Sequence, residues 1–402
     1  VIKSTKILYF LFCLLFVSLF SADEREIIIR ANPPAGFSGT LFICGGTDSL
    51  GSWSEHKRMR QTDNGYIYTV DAKAGQNLEF KFTQGDWSGV EKGSGGLDIP
   101  NRSIKVGSTD NVFNFNIDSF SGSGGSVGST LSGNVVTWSK VYSRALKNER
   151  TVLIWLPPSY ETAIDRHYPV LYLNDGNNKF DAATAFGGVE WGFDETADSL
   201  MTKGEMEEVI MVAVYNTAGR MEEYTPFFSV THGGGHGNRY LHFLIKDLKP
   251  RVDREFRTKT GPEHTAIAGS SLGGLISLYA VYEFPHVFGR AGVISPSLWW
   301  ANEAILKWVQ EKPVPNVKIW LDMGTREGNI LPSGLPQTII NSRRMRDFLL
   351  DSGFIQGKNL FYHEAEGAGH NETSWAARGD LILKFLFPSM RVNRFGRLFQ
   401  TR

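Results

Sequence analysis

Six short and almost wholly apolar runs, at 152–156, 170–173, 209–214, 266–268, 291–294 and 317–321, punctuate the later part of the chain. Longer amphipathic stretches, 240–256 and 272–282 among them, lie between. A strand with no polar face has to be covered on both sides, and alternating helices supply the cover. The pattern predicts a mostly parallel sheet with helices on both faces.

Upstream the period changes. Leu78, Phe80 and Phe82 alternate with Glu79, Lys81 and Thr83; Phe113, Phe115 and Ile117 alternate with Asn114 and Asn116; Tyr66, Tyr68 and Val70 read the same way. Such strands, separated by turn residues, predict a small β-sandwich over 23–120. Residues 121–133, "SGSGGSVGSTLSG", bury nothing and predict a flexible joint. A second domain then spans 134–390, followed by a tail at 391–402. Residues 1–22 have the order of a secretory signal peptide: Lys3 and Lys6, an apolar run over 7–20, then Ser21 and Ala22. The run is short for a bilayer span, so the expectation is a periplasmic or secreted protein, with an uncleaved anchor as the alternative. Without that leader only Cys44 remains, and stability must rest on core packing rather than a disulfide. The 42 basic and 42 acidic residues cancel, which gives no electrostatic case for nucleic acid or an anionic membrane as partner.

The pattern Gly-x-Ser-x-Gly occurs twice, at 124–128 and 269–273, in a chain with 43 glycines. Ser126 lies in the joint, with no strand before it and no helix after. Ser271 follows an apolar strand and precedes a run of helix formers. A serine there stands at the carboxyl edge of the sheet, where a helix N-terminus favours an oxyanion. Ser271 is therefore the candidate nucleophile, its turn expected over 269–274. It needs a base, and His286, His363 and His370 follow it. His286 precedes a strand and His363 lies within one; His370, in the glycine-rich "EGAGHNETSW", is free to reach back. The acid is expected after the strand at 317–323, where "WLDMGTREGN" offers Glu327, the choice, and Asp322, the alternative. Leu272 with Gly176 or Asn177 would donate the N–H groups of an oxyanion hole. "HGGG" at 232–235 follows the fourth strand rather than the third and is set aside. The His232 and His236 pair has no third ligand, so no metal is expected. Arg220, Tyr224, Trp299, Trp300 and Trp375 would shape an aromatic pocket, though each also admits a purely structural role.

The blocks "YPVLYLNDGNNKFD", "GRMEEYTPF", "GGGHGNRYLHFLIKDLKPRVDREFRT", "AGSSLGGLISLYA" and "FGRAGVISPSLWW" resemble the bacterial enterochelin-esterase-like esterases, a group related to esterase D, feruloyl and acetyl-xylan esterases and mycolyltransferases. That resemblance implies an α/β-hydrolase fold with a Ser-His-acid triad, matched here by Ser271, His370 and Glu327. In the front domain, "SLGSW", "LEFKFTQGDW" and "VEKG…IPNRSIKV" resemble the starch-binding class of carbohydrate-binding domains. Those domains usually carry Trp directly before the Glu, whereas Val90 precedes Glu91 here. Trp53 and Trp87 are then candidate sugar platforms, or else ordinary sandwich core. Together the resemblances imply a serine carboxylesterase working without a cofactor, on an ester of a polysaccharide or oligosaccharide. A siderophore ester, acyl transfer, and a non-catalytic glycan-binding protein are the alternatives.

Overall fold

The structure, a computed structural model, describes residues 24–63, 65–93, 99–107, 109, 111–121, 129–328, 330–392 and 398–400. The leader at 1–22, Ser126 with most of the Ser/Gly segment, and much of the tail lie outside these residues. Among the described residues no helix is long and apolar enough to cross a membrane.

The front region is β-rich. One sheet joins Arg60–Thr62, Gly65–Lys73, Glu24–Asn32 and Val112–Asn116; the other joins Lys57–Arg58, Phe42–Gly45, Asn77–Thr83 and Arg102–Lys105. Ile27, Ile29 and Val70 from the first sheet share one buried cluster with Ile43, Leu78, Phe80 and Phe82 from the second. The period-two runs thus turn their apolar sides inward. Cys44 is buried there, and burial pushes its thiol up to about 12.

The second region holds an eight-stranded sheet. Its strands are β1 (Asn134–Ser143), β2 (Asn148–Leu156), β3 (Val170–Leu173), β4 (Ile210–Val214), β5 (Thr265–Ser270), β6 (Arg290–Ile294), β7 (Lys318–Gly324) and β8 (Leu360–Ala365). They lie in the order β1-β2-β4-β3-β5-β6-β7-β8. β2 pairs antiparallel with both β1 and β4, and the remaining pairs are parallel. Along β2, Val152 and Ile154 enter one core cluster while Leu153 and Trp155 enter another, so both faces of the sheet are covered. That division is why the strand reads as an unbroken apolar run.

Three local expectations need correction. Residues 129–132 are tied down rather than free: Thr130 N–H and Ser129 Oγ donate to Asp181, and Ser132 N–H donates to Asp194. Small polar residues satisfy buried carboxylates here, which composition does not reveal. The helix expected over 240–256 runs without a gap from Gly237 to Glu255, and within it a π-type stretch, Leu244–Leu248, separates Gly237–Phe243 from Lys249–Glu255. Pro250, lacking an N–H, adjoins the altered register. The turn at the candidate serine is one residue wide, since β5 runs to Ser270 and the next helix, Leu272–Glu283, begins at once.

Arg150 on β2 donates two hydrogen bonds, 2.8 and 3.0 Å, to the Glu223 carboxylate, and both side chains are buried. Removing one partner of such a pair strands a charge and costs about 3–5 kcal/mol. Arg150→Met should therefore lower unfolding stability by an amount of that order. Arg144→Ala, at a pair whose arginine is 74 % exposed, should barely move it. Denaturant titration followed by tryptophan fluorescence checks the ranking.

Candidate active site

Ser271 occupies a one-residue corner with φ 59° and ψ −120°, a conformation unfavourable for a non-glycine residue. Backbone bonds hold it there: its N–H donates to Ile294 O at 3.0 Å, and its carbonyl accepts from Leu275 and Ser297. The neighbouring glycines are needed for close approach. A Cβ on Gly269 would lie 2.9 Å from Asn174 Cβ, and one on Gly274 would lie 2.8 Å from Ile294 O.

His370 leaves β8 on a short loop and returns over the serine. Its Nε2 is 2.9 Å from Ser271 Oγ, and its Nδ1 is 2.7 Å from Glu327 Oε2. Ser271 Oγ also lies 3.2 Å from Ser297 Oγ. The imidazole is 42 % exposed while Glu327 is 1 % exposed, so one end of the chain is wet and the other dry. Two loops are locked together behind it, with Arg326 N–H donating to Ala368 O and Gly367 N–H to Thr325 Oγ1. A Cβ at Gly324 would sit 2.4 Å from Ala368 O, so the close approach of these loops requires glycine.

Donor counting fixes the tautomer. Glu327 Oε1 accepts from Gly324 N–H at 2.8 Å and from Ser295 Oγ at 2.6 Å. As a carboxylate Glu327 only accepts, so the proton between it and His370 sits on Nδ1. Nε2 then carries the lone pair and accepts a hydrogen bond from the Ser271 hydroxyl. Asp322, the alternative acid, is 0 % exposed and is fully engaged elsewhere. It accepts two hydrogen bonds from Arg378, both 2.9 Å, one from Trp320 Nε1 and one from Ser295 N–H. Burial opposes the Arg378 charge, and the facing Asp322 carboxylate outweighs it and raises that guanidinium above its ordinary value.

The loop after β3 carries Gly176 and Asn177 beside the helix that Leu272 begins. A Cβ on Gly273 would lie 3.3 Å from Asp175 Oδ2, so the two elements touch. Asp175 sits in the left-handed region, and Arg220 grips its carboxylate at 2.6 and 2.8 Å. Burial would raise that carboxyl, but Arg220 and then Lys179 more than offset it and hold it below its usual range. Among the described residues no acceptor takes the backbone N–H of Leu272, Gly176 or Asn177. The glycines of the 232–235 run differ: Gly233 donates to Ser229 O, Gly234 to Glu222 Oε1 and Gly235 to Thr225 Oγ1.

The expected pocket residues divide. Tyr224 and Trp300 are 0 % and 1 % exposed and lie in the core. Tyr224 Oη accepts from Asp175 N–H, and Trp300 Nε1 donates to Phe227 O. Trp375 is also buried; its ring stands edge-on to His370 at 4.9 Å, and its Nε1 donates to Ser295 Oγ. All three are core side chains, and of them Trp375 is the one in ring contact with His370. Arg220 is committed to Asp175, and Trp299 is 41 % exposed. Trp53 and Trp87 are half-buried outside the front core, 6.1 Å apart, and Trp87 packs on Phe186 in the loop after β3 at 5.7 Å. Sequence reasoning missed Ser295, Ser297 and Arg378, although both serines lie within the block "FGRAGVISPSLWW"; their place after β6, at the carboxyl end of the strand beside that of Ser271, is the signal that could have found them.

Residues 143–384 match the model of the Esterase family, described as "Putative esterase". Over 248 residues the chain is 25 % identical to the protein YbbA of Bacillus subtilis, spanning 60 % of this chain and 94 % of that one. Over 260 residues it is 24 % identical to an endo-1,4-beta-xylanase/feruloyl esterase of Xylanibacter ruminicola, spanning 61 % of this chain and 30 % of that one. Its fold is similar to the crystal structure of the enterobactin esterase FES from Shigella flexneri, with a TM-score of 0.51 and 16 % identity. That likeness covers 90 % of this chain and 92 % of that one. It reaches into the front region, and the second region has an α/β-hydrolase-like fold.

Beneath the loop, Lys179 is wholly buried, with Nζ 3.0 Å from the centre of the Trp191 ring. Burial draws the amine down to about 7, while Asp175 and Glu372 pull the other way. From about pH 7 to the ordinary lysine value of 10.5, the unfolded chain holds a proton that the folded chain has released. Lys179 therefore makes stability rise with pH through that window, and its charge weighs fully against folding below it. Lys179→Met should stabilise most near pH 6 and least near pH 10, read as the difference in unfolding midpoint. A gap that fails to narrow with rising pH would contradict this.

Proposed function

The chain belongs to the Esterase family of carboxylic ester hydrolases, and on that premise we propose that it cleaves its ester through a serine acyl-enzyme. Ser271 Oγ attacks the carbonyl as its proton passes to His370 Nε2. Glu327 keeps Nδ1–H in place and stabilises the imidazolium without taking the proton. The N–H groups of Leu272 and of Gly176 or Asn177 receive the negative charge that develops on the carbonyl oxygen. His370 then gives its proton to the departing alcohol, and water reverses the sequence to free the acid. The observation that carries this reading is the pair of hydrogen bonds, 2.9 and 2.7 Å, joining Ser271, His370 and Glu327.

For the substrate we infer an acyl ester borne on carbohydrate. The front domain is taken as a β-sandwich of starch-binding-like type, with Trp53 and Trp87 as the aromatic platform. Support comes from their half-burial, from the Trp87 contact with Phe186, and from the feruloyl esterase activity named for the Xylanibacter relative. A siderophore ester is the second reading, favoured because the likeness to the enterobactin esterase includes the front region. Export, with 1–22 as a cleaved leader, belongs to the same reading and rests on sequence alone.

A fluorophosphonate should label the wild type and not Ser271→Ala, and that variant should lose activity on p-nitrophenyl acetate by about 10⁴-fold or more. An unlabelled wild type would sink the mechanism. Glu327→Gln should lower kcat by about 10³-fold or more, with Asp322→Asn chiefly weakening the fold; the reverse ranking would transfer the acid role. Acetylated xylan, methyl ferulate and enterobactin, compared by kcat/KM, decide between the two substrate readings.

A further inference from the structure

On the roles just assigned to Ser271, His370 and Glu327, we propose that Ser295 is a positioning residue whose hydroxyl locks the Glu327 carboxylate and, through it, the His370 imidazole. Ser295 follows β6 directly, is 1 % exposed, and is held at φ 40°. Its N–H donates to Asp322, at 2.9 Å to Oδ1 and 3.2 Å to O. A serine hydroxyl has one proton to give and two lone pairs to fill. Trp375 Nε1 at 3.0 Å and Arg378 Nη2 at 2.7 Å have only hydrogens to offer, and they occupy both lone pairs. The hydroxyl proton is thereby directed to Glu327 Oε1 at 2.6 Å.

Gly324 N–H meets the same carboxylate oxygen, which leaves Oε2 as the one facing His370. A carboxylate held at both oxygens cannot rotate, so the plane of the imidazole is set from behind. The donors to Ser295 are themselves fixed. Arg378 is paired with Asp322 and donates from Nη1 to Ser374 O at 2.8 Å, beside the tryptophan whose ring edge abuts His370. One hydroxyl thus orders the acid and the wall against the base. A residue serving packing alone would need none of these three bonds, and the positive φ is a strain that only surrounding contacts maintain.

The test uses the full chain and two readouts. One is the downfield proton resonance of His370 Nδ1–H, which persists only while its carboxylate shields it from exchange. The other is the split between kcat and KM on p-nitrophenyl acetate. Ser295→Ala should broaden or abolish the resonance and lower kcat about tenfold, with KM within about twofold of wild type. Trp375→Phe keeps the ring and removes one donor to Ser295; it should act in the same direction more weakly, and it carries the test should Ser295→Ala not fold. An unchanged resonance overturns the proposal, whether or not kcat falls. The resonance needs no substrate, so its loss in Ser295→Ala, beside a wild type that hydrolyses no ester, would overturn the esterase reading and uphold the positioning role.

Discussion

Between Ser270 and Leu272 the chain passes from strand to helix in a single residue, and the rest of the site is arranged around that corner. A turn so tight brings backbone against backbone, which is why Gly269 and Gly274 have no room for a side chain. It also places the serine oxygen above the carboxyl edge of the sheet, while the first N–H groups of the helix remain without intrahelical partners. The positive φ at Ser271 is a local penalty, offset by the bonds to Ile294, Leu275 and Ser297. Corner geometry and chemical competence are here the same feature.

The loops that meet the corner are each held by a guanidinium, half-buried at Arg220 and fully buried at Arg378, that grips a buried carboxylate. Arg220 grips Asp175 under the loop after β3, and Arg378 grips Asp322 under the loops bearing Glu327 and His370. Buried pairs of this kind are poor sources of net stability, because desolvation consumes most of the attraction. Their effect here is directional. A forked donor fixes a carboxylate in angle as well as distance, and the backbone attached to that carboxylate becomes rigid with it. Lys179, without a hydrogen-bond partner among the described residues and set against Trp191, shows the same region tolerating an unfavourable group under the loop it supports.

What the sequence made legible follows from this division. The continuous apolar runs of β2 to β7 announced themselves because a two-faced strand has no polar positions to disguise it. That Ser271, His370 and Glu327 lie together was readable because each stands at or just beyond a strand end on the carboxyl edge of the sheet, where the loops converge. Strand β1 was not readable: a bulge between Trp138 and Val141 breaks its alternation. Nor did the sequence separate wall from support. Tyr224, Trp300 and Trp375 sit at the right places in the chain for a pocket, yet tertiary packing buries all three. Ser295 stands inside the block "FGRAGVISPSLWW", yet the partners of its hydroxyl, Trp375 and Arg378, lie some 80 positions downstream and were not readable from it.

The front region bears on the site through its contact with Phe186. That ring lies in the segment following Gly176 and Asn177, and the segment folds back on itself: Thr184 Oγ1 donates to Asn177 O, and Phe186 N–H donates to Asn178 Oδ1. Asn178 in turn donates to Glu372, two residues beyond His370. The ring that Trp87 meets is therefore linked through Asn178 to the residue two positions beyond His370. Residues 129–132, anchored to Asp181 and Asp194, fix the chain's entry to the same segment from below. The front region and the hydrolase-like region thus meet at the loop after β3, which also touches the helix that Leu272 begins.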